Sequence, residues 1–244
     1  MPFMAKFNAF SEKTGRFMLG VYDYTVILTY LSIISAVIGI CCSFNAQLVL
    51  ASIICLMLCG CLDAFDGKVA RSKPNRTDFE KKFGIQIDSL SDMVAFGVLP
   101  ACIGINLVNN SRFIARLTSR THYYGFLKDV LIIICILYAL AAVIRLAYYN
   151  VQEEARQKEE DGNREYFTGV PVTTAAIIFP LIYLLQLANK LDLTLVFMFF
   201  MALVGFLFIS EKKIRKPGFK HLMILIIFGL VEAVLMVLCK IFLK

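Results

Sequence analysis

The chain has 244 residues, of which 59% are hydrophobic and only 18% charged, and its mean hydropathy is +0.74. This excludes an ordinary soluble domain: apolar runs close to the ~20 residues that cross a bilayer make it an all-α, polytopic membrane helix bundle. The formal net charge of +7 comes with no nucleic-acid motif, so no nucleic-acid partner is expected; it reads as a topology signal and an attraction for anionic membrane lipids.

Residues 1–21 do not read as a cleavable leader, because Lys6, Glu12, Lys13 and Arg16 interrupt them. They read as an interfacial amphipathic helix, with Phe3, Phe7, Phe10 and Phe17 as apolar anchors and Lys6, Lys13 and Arg16 turned to headgroups. Apolar spans follow at 22–44, 46–66, 85–108, 127–149, 169–188, 192–210 and 220–242. Lysine and arginine concentrate in 1–21, 67–84, 150–168 and 211–219, which places these segments in the cytoplasm; the other side keeps mainly Arg112, Arg116, Arg120 and Lys190. The polar stretch 151–167 reads as a solvated continuation of the fourth span that stops at Asp161-Gly162-Asn163. The eight cysteines lie in or at the ends of spans and read as reduced core residues. His122 and His221 sit singly at predicted helix edges.

Two pairs of aspartates stand at the edges of the second and third spans, and ionised carboxylates at membrane depth are rarely without work. Asp63, Asp66, Gly67 and Ala70 fall at i, i+3, i+4 and i+7, one helical face; Gly84, Asp88 and Asp92 follow at i, i+4 and i+8. Four carboxylates on two facing helices make a hard, oxygen-rich cage that suits Mg2+ or Mn2+ rather than zinc or copper. Gly67, Ala70 and Gly84 leave room for a ligand beside it.

The string Asp63-x-x-Asp66-Gly67-x-x-Ala70-Arg71, followed by Gly84-x-x-x-Asp88-x-x-x-Asp92, resembles the signature of the CDP-alcohol phosphatidyltransferases. It departs from that pattern in the connecting stretch, Ser72 to Phe83, which is longer than the family's. The segments Asp88-Ser89-Leu90-x-Asp92-x-Val94-x-Phe96-Gly97-x-x-Pro100, Arg145-Leu146-Ala147-x-x-Asn150 and Phe167-x-Gly169-x-Pro171 are similar to the integral-membrane CDP-diacylglycerol-serine O-phosphatidyltransferases. On this resemblance residues 22–210 form the transferase domain, with a six-helix core, and 211–244 add a basic loop and one extra helix. Thr25 and Thr29 are a faint echo of the polar position carried by the family's first helix.

The resemblance implies two divalent ions held by Asp63, Asp66, Asp88 and Asp92, with Asp92 as general base, CDP-diacylglycerol and L-serine as substrates, and a homodimer in the cell membrane whose active site faces the cytoplasm. Gly67 and Ala70 then let cytidine and ribose lie against the second helix, and the planar fork of Arg71 can pair with phosphate oxygens. Arg145 is a substrate-binding candidate for the lipid phosphate or the serine carboxylate; a structural partner such as Asp92, or snorkelling to the interface, remains open. Gly169 and Pro171 can offer loop backbone to the amino acid, although Pro171 equally suits a first helical turn.

Two other readings stand beside this one. The same chemistry could act on another acceptor, such as glycerol 3-phosphate, an inositol compound or an amino alcohol; an acceptor carrying its own phosphate would call for extra basic residues close to the aspartates inside the membrane, where the sequence offers mainly Arg145. A divalent-cation transporter would need polar residues continuing through the bilayer, yet beyond Asp92 the third span is apolar. Glu232, alone in the last span, is left undecided between a protonated acid, a subunit contact and an interfacial position.

Overall fold

The computed structural model describes residues 19–119, 124–159, 166–211, 213–215 and 219–242. Apart from its last three residues, the amphipathic helix expected over 1–21 lies outside them. The main elements are helices α1 (Ile27–Ser43), α2 (Val49–Arg71), α3 (Asp78–Asp92), α4 (Leu99–Asn110), α5 (Arg112–Ser119), α6 (Tyr124–Glu159), α7 (Ala175–Asn189), α8 (Thr194–Phe208) and α9 (Phe219–Phe242). A π-helical turn, Met93–Val98, joins α3 to α4, so Asp78–Asn110 runs as one continuous span. Among the described residues five segments are long and apolar enough to cross a membrane: Ala46–Arg71, Asp78–Asn110, Gly125–Gln152, Val172–Asn189 and Met223–Phe242. Helices α1 and α8, at 17 and 15 residues, are shorter but equally apolar.

Every expected span is therefore a helix, with boundaries that shift where local chemistry dictates. The second span runs on to Arg71 rather than ending at 66, and Lys68 and Arg71 in its last turn suit the negative end of the helix dipole. The third begins at Asp78 rather than 85. A capping box starts it: Glu80 N donates to Thr77 Oγ1 at 3.2 Å, and Thr77 N donates to Glu80 Oε2 at 2.8 Å. The first span starts late, at Ile27, after a turn in which Thr25 N and Oγ1 both donate to Asp23 Oδ1.

Two elements were not expected. Amphipathic α5 fills part of the connection between the third and fourth spans, and the basic loop before α9 contains a strand, β2 (Lys213–Arg215), paired antiparallel with β1 (Tyr166–Thr168). The ladder sets Phe167 opposite Ile214, so the segments before α7 and before α9 meet at one end of the bundle. Lys73 joins 73 to 23 at an end of α1 and α2, while Asp192 accepts from Ser111 Oγ at 2.7 Å and Phe113 N at 3.0 Å at the ends of α4 and α8.

Packing follows membrane rather than aqueous rules. The buried stripe of α1 is Thr29, Ser32, Ser35, Ala36, Gly39 and Ser43, while Ile27, Leu31, Ile34 and Ile38 face outward. Small and hydroxyl-bearing residues let helices approach where lipid gives no hydrophobic drive. Gly60 shows the limit: a Cβ there would stand 2.6 Å from that of Ala176, so α2 and α7 touch only because position 60 lacks a side chain. Between α6, α7 and α8 the core is aromatic, with Phe179 5.5 Å from Tyr138 edge-to-face and 4.9 Å from Phe197 between ring centroids.

Candidate active site

The sequence motifs meet where the last turns of α2 face the C-terminal half of α3. Because α2 continues to Arg71 and α3 starts at Asp78, the aspartates, Gly67, Ala70 and Gly84 all lie on helix and keep the common faces expected of them. One carboxylate oxygen from each of Asp63, Asp88 and Asp92 lies within 4.8 Å of the others. The Asp63 carboxyl stands against that of Asp92, and the Asp66 carboxyl against that of Asp88. Asp66 is buried, lies outside the group of three, and accepts a 3.5 Å hydrogen bond from Thr29 Oγ1.

These residues fit a hard cation. Among the described residues no lysine or arginine forms an ion pair with any of the four carboxylates, and carboxylates in contact in a poorly hydrated pocket repel one another unless a positive charge lies between them. An all-oxygen donor set on two rigid helices selects a divalent ion of the magnesium type over thiophilic metals.

Two spaces open beside the carboxylates. A cleft of about 220 Å³ is lined by Thr25, Val26, Thr29, Asp66, Gly67, Ala70, Arg71, Arg76, Lys81, Gly84, Ile85 and Asp88. A Cβ at Gly67 would meet nothing nearer than the Arg71 guanidinium at 3.5 Å. Gly84 also borders the cleft, and a Cβ there would fall 2.7 Å from Arg76 Nη2. An apolar cavity of about 300 Å³ lies between α2, α7 and α9, with Asp63 and Thr173 on its wall and Gly60, Ala176, Leu225 and Gly229 along it. Asp88 thus borders the cleft and Asp63 the cavity, with the carboxylate group at the junction.

Arg145, Gly169 and Pro171 come together separately. Buried Arg145 donates from Nε to the Val170 carbonyl at 2.6 Å, and its guanidinium lies 5.7 Å from the Tyr149 ring centroid. Gly169 has φ +75°, and a Cβ there would stand 3.0 Å from the carbonyls of Phe208 and Ser210, so only glycine fits against the end of α8. Pro171 precedes a single 3-10 turn, Val172–Thr174, whose Thr174 Oγ1 donates to the Pro171 carbonyl at 2.8 Å. That turn carries Thr173 to the cavity wall shared with Asp63.

Several residues in or beside the site were passed over or underweighted by sequence reasoning. Thr29 reaches Asp66 and, with Thr25, lines the cleft; their i, i+4 spacing was the available signal. Arg76, in the connection between α2 and α3, and Lys81, in the first turn of α3, share the cleft wall with Arg71. Nothing in the spacing pointed to them, since the six-residue connection between α2 and α3 brings Arg76 back over the cleft. Ser89 Oγ donates to Asn150 Oδ1 at 2.9 Å, tying α3 to α6 one helical turn from Asp92.

The sequence model of the CDP-alcohol phosphatidyltransferase family matches residues 24–242. The chain is 32% identical over 164 residues to a CDP-diacylglycerol-serine O-phosphatidyltransferase of Helicobacter pylori, covering 65% of this chain and 57% of that protein. It is 31% identical over 182 residues to the archaetidylserine synthase of Methanothermobacter thermautotrophicus, covering 75% and 62%. A CDP-diacylglycerol-serine O-phosphatidyltransferase of Methanocaldococcus jannaschii is 28% identical over 214 residues, 88% of this chain and 82% of that one. The first two matches thus span less than two thirds of the relatives' own length.

Proposed function

The chain belongs to the CDP-alcohol phosphatidyltransferase family, and from that premise we propose that it transfers a phosphatidyl group from CDP-diacylglycerol to the hydroxyl of L-serine, giving phosphatidylserine and CMP. The observation that carries this reading is the position of the carboxylate group, between a cleft whose wall carries Arg71, Arg76 and Lys81 and an apolar cavity suited to an acyl chain. A lipid joined to a nucleotide through a diphosphate has that sequence of parts. Relatives named as serine transferases support the acceptor.

Asp63, Asp66, Asp88 and Asp92 would hold the divalent cation, Mg2+ or Mn2+ and two ions in this family, whose charge neutralises the diphosphate and lets a nucleophile approach. Gly67 and Ala70 receive cytidine and ribose, and Arg71 pairs with phosphate oxygens at the cleft wall. Asp92 accepts the serine hydroxyl proton as the serine oxygen bonds to the lipid-side phosphorus, while the bond from that phosphorus to the CMP oxygen breaks and CMP leaves with the electron pair. Arg145, through Val170, orients the Gly169–Pro171 segment as the serine side of the site. The protein acts as a homodimer in the cell membrane, with these groups on the cytoplasmic face where the basic loops collect.

The test is incubation of the purified protein with CDP-diacylglycerol, Mg2+ or Mn2+ and, one at a time, serine, glycerol 3-phosphate, inositol and ethanolamine, scoring CMP release and lipid product. Serine-dependent CMP release is expected; release driven by another alcohol reassigns the acceptor, and none with any alcohol refutes the transferase reading.

A further inference from the structure

Gly84 belongs to the signature that the sequence reads as room for a ligand, and it borders the cleft, but the direction a side chain would take from it is occupied. The Arg76 guanidinium lies there, with Nη2 2.7 Å from where a Cβ of residue 84 would be. Nη1 donates to the Ala70 carbonyl at 3.3 Å and Nη2 to the Glu80 carbonyl at 3.1 Å. Ala70 lies in the last turn of α2, where carbonyls lack a helical partner, so this arginine caps one helix while gripping the next. Its Nε is buried with no hydrogen-bond partner among the described residues. The connection that carries it is itself pinned, because Lys73 Nζ bridges Asp23 at 2.7 Å and Glu80 at 2.9 Å.

We propose that Arg76 is a positioning residue for the transfer reaction: seated in the gap left by Gly84, it ties α2 to α3 and sets the separation of Asp66 and Asp88 across the nucleotide cleft. Gly84, which also borders the cleft, then has a second role as the seat of this arginine. The inference rests on the transferase reading above. Its chemical consequence is a specific non-additivity. Alanine at 84 pushes Nη2 aside and breaks the bridge; alanine at 76 removes the bridge but also empties the space, so a methyl at 84 then meets nothing.

The experiment is a double-mutant cycle of Gly84→Ala and Arg76→Ala, measuring kcat/KM for CDP-diacylglycerol and KM for serine. Each single variant is expected to lose about ten- to a hundred-fold in kcat/KM, the scale of a sub-ångström to one-ångström misplacement; the double variant loses no more than Arg76→Ala, and KM for serine does not move. Multiplying losses overturn the proposal, since Gly84 would then make room for substrate, and unchanged kinetics in both single variants overturn it too. Absence of turnover in the unmodified protein refutes the transferase reading instead. In that case thermal melting of the four detergent-solubilised proteins reads the same coupling: Gly84→Ala lowers the melting temperature only when Arg76 is present. If Gly84→Ala does not fold, recovery of a folded protein by adding Arg76→Ala supports the proposal and continued failure overturns it; Arg76→Gln replaces Arg76→Ala if the latter does not fold.

Discussion

The Tyr138 hydroxyl donates to the Phe96 carbonyl at 2.7 Å, with the tyrosine fully buried. Pro100, four residues beyond Phe96, has no N–H to offer that carbonyl. A side chain from α6 thus offers that carbonyl a hydrogen bond in place of the missing i+4 donor, at the π-helical turn directly after Asp92. This fixes the helix that carries Asp88 and Asp92 against the one that carries Arg145.

Chelation should abolish CMP release, and added Mg2+ or Mn2+ should restore it. Asp88→Asn keeps the side-chain volume but removes a charge shared by the carboxylate group and the cleft, so it should lose activity while eluting as the same folded protein from a sizing column. Full turnover in excess chelator, or by Asp88→Asn, contradicts the metal assignment.

Asp92→Asn separates base from ligand. As a positioned base, Asp92 should cost about 10²–10⁴-fold in kcat when replaced, with divalent-ion and CDP-diacylglycerol binding retained by calorimetry. Lost ion binding would make Asp92 a principal ligand instead.

Orientation is open to cysteine labelling in sealed vesicles. Asn75 lies in the α2–α3 connection and Asn110 at the end of α4, so a cysteine at 75 should react only from the cytoplasmic side and one at 110 only from the other. Labelling of both from one side refutes the assigned topology.

Glu232 is 2% exposed, and among the described residues neither carboxylate oxygen has a hydrogen-bond partner. It lies on the helix that packs against α7 and α2. Removing an unpaired buried acid relieves a desolvation cost, so Glu232→Gln should keep activity and melt a few degrees higher, at about 2–4 °C per kcal/mol for a chain of this size. A lower melting temperature would mean the carboxyl is needed.

The clasp at the cleft's edge should respond to acid. Burial alone would raise the Asp23 carboxyl, but hydrogen bonds from Lys73 and Thr25 outweigh it and hold the group below the usual carboxylate range. A depressed carboxylate contributes stability above its unfolded value and loses it as pH falls through the folded one, so the contribution should disappear below about pH 4. Melting curves of Lys73→Met should lack that acid limb; an unchanged limb would place the titration elsewhere.

How much of the site could be read beforehand varies by residue, for physical reasons. The aspartate faces were legible because helical spacing is local: once α2 and α3 are helices, the side chains at i, i+3 and i+4 must align. Thr29 was only an echo, because its hydrogen bond to Asp66 spans 37 residues of sequence. Gly84 was legible as a small residue but not as a seat for Arg76, since what fills a gap depends on how a neighbouring loop folds back.

Composition and period by themselves determined a bundle of membrane helices with four carboxylates on two faces, because transfer into lipid and the 3.6-residue repeat act on each segment alone. Tertiary structure decided the rest: which carboxylates group as three, that Arg145 holds the Val170 carbonyl, and that Arg76 spans α2 and α3. Long cationic side chains reach many partners at similar cost in sequence terms, and only the packed distances between helices choose among them.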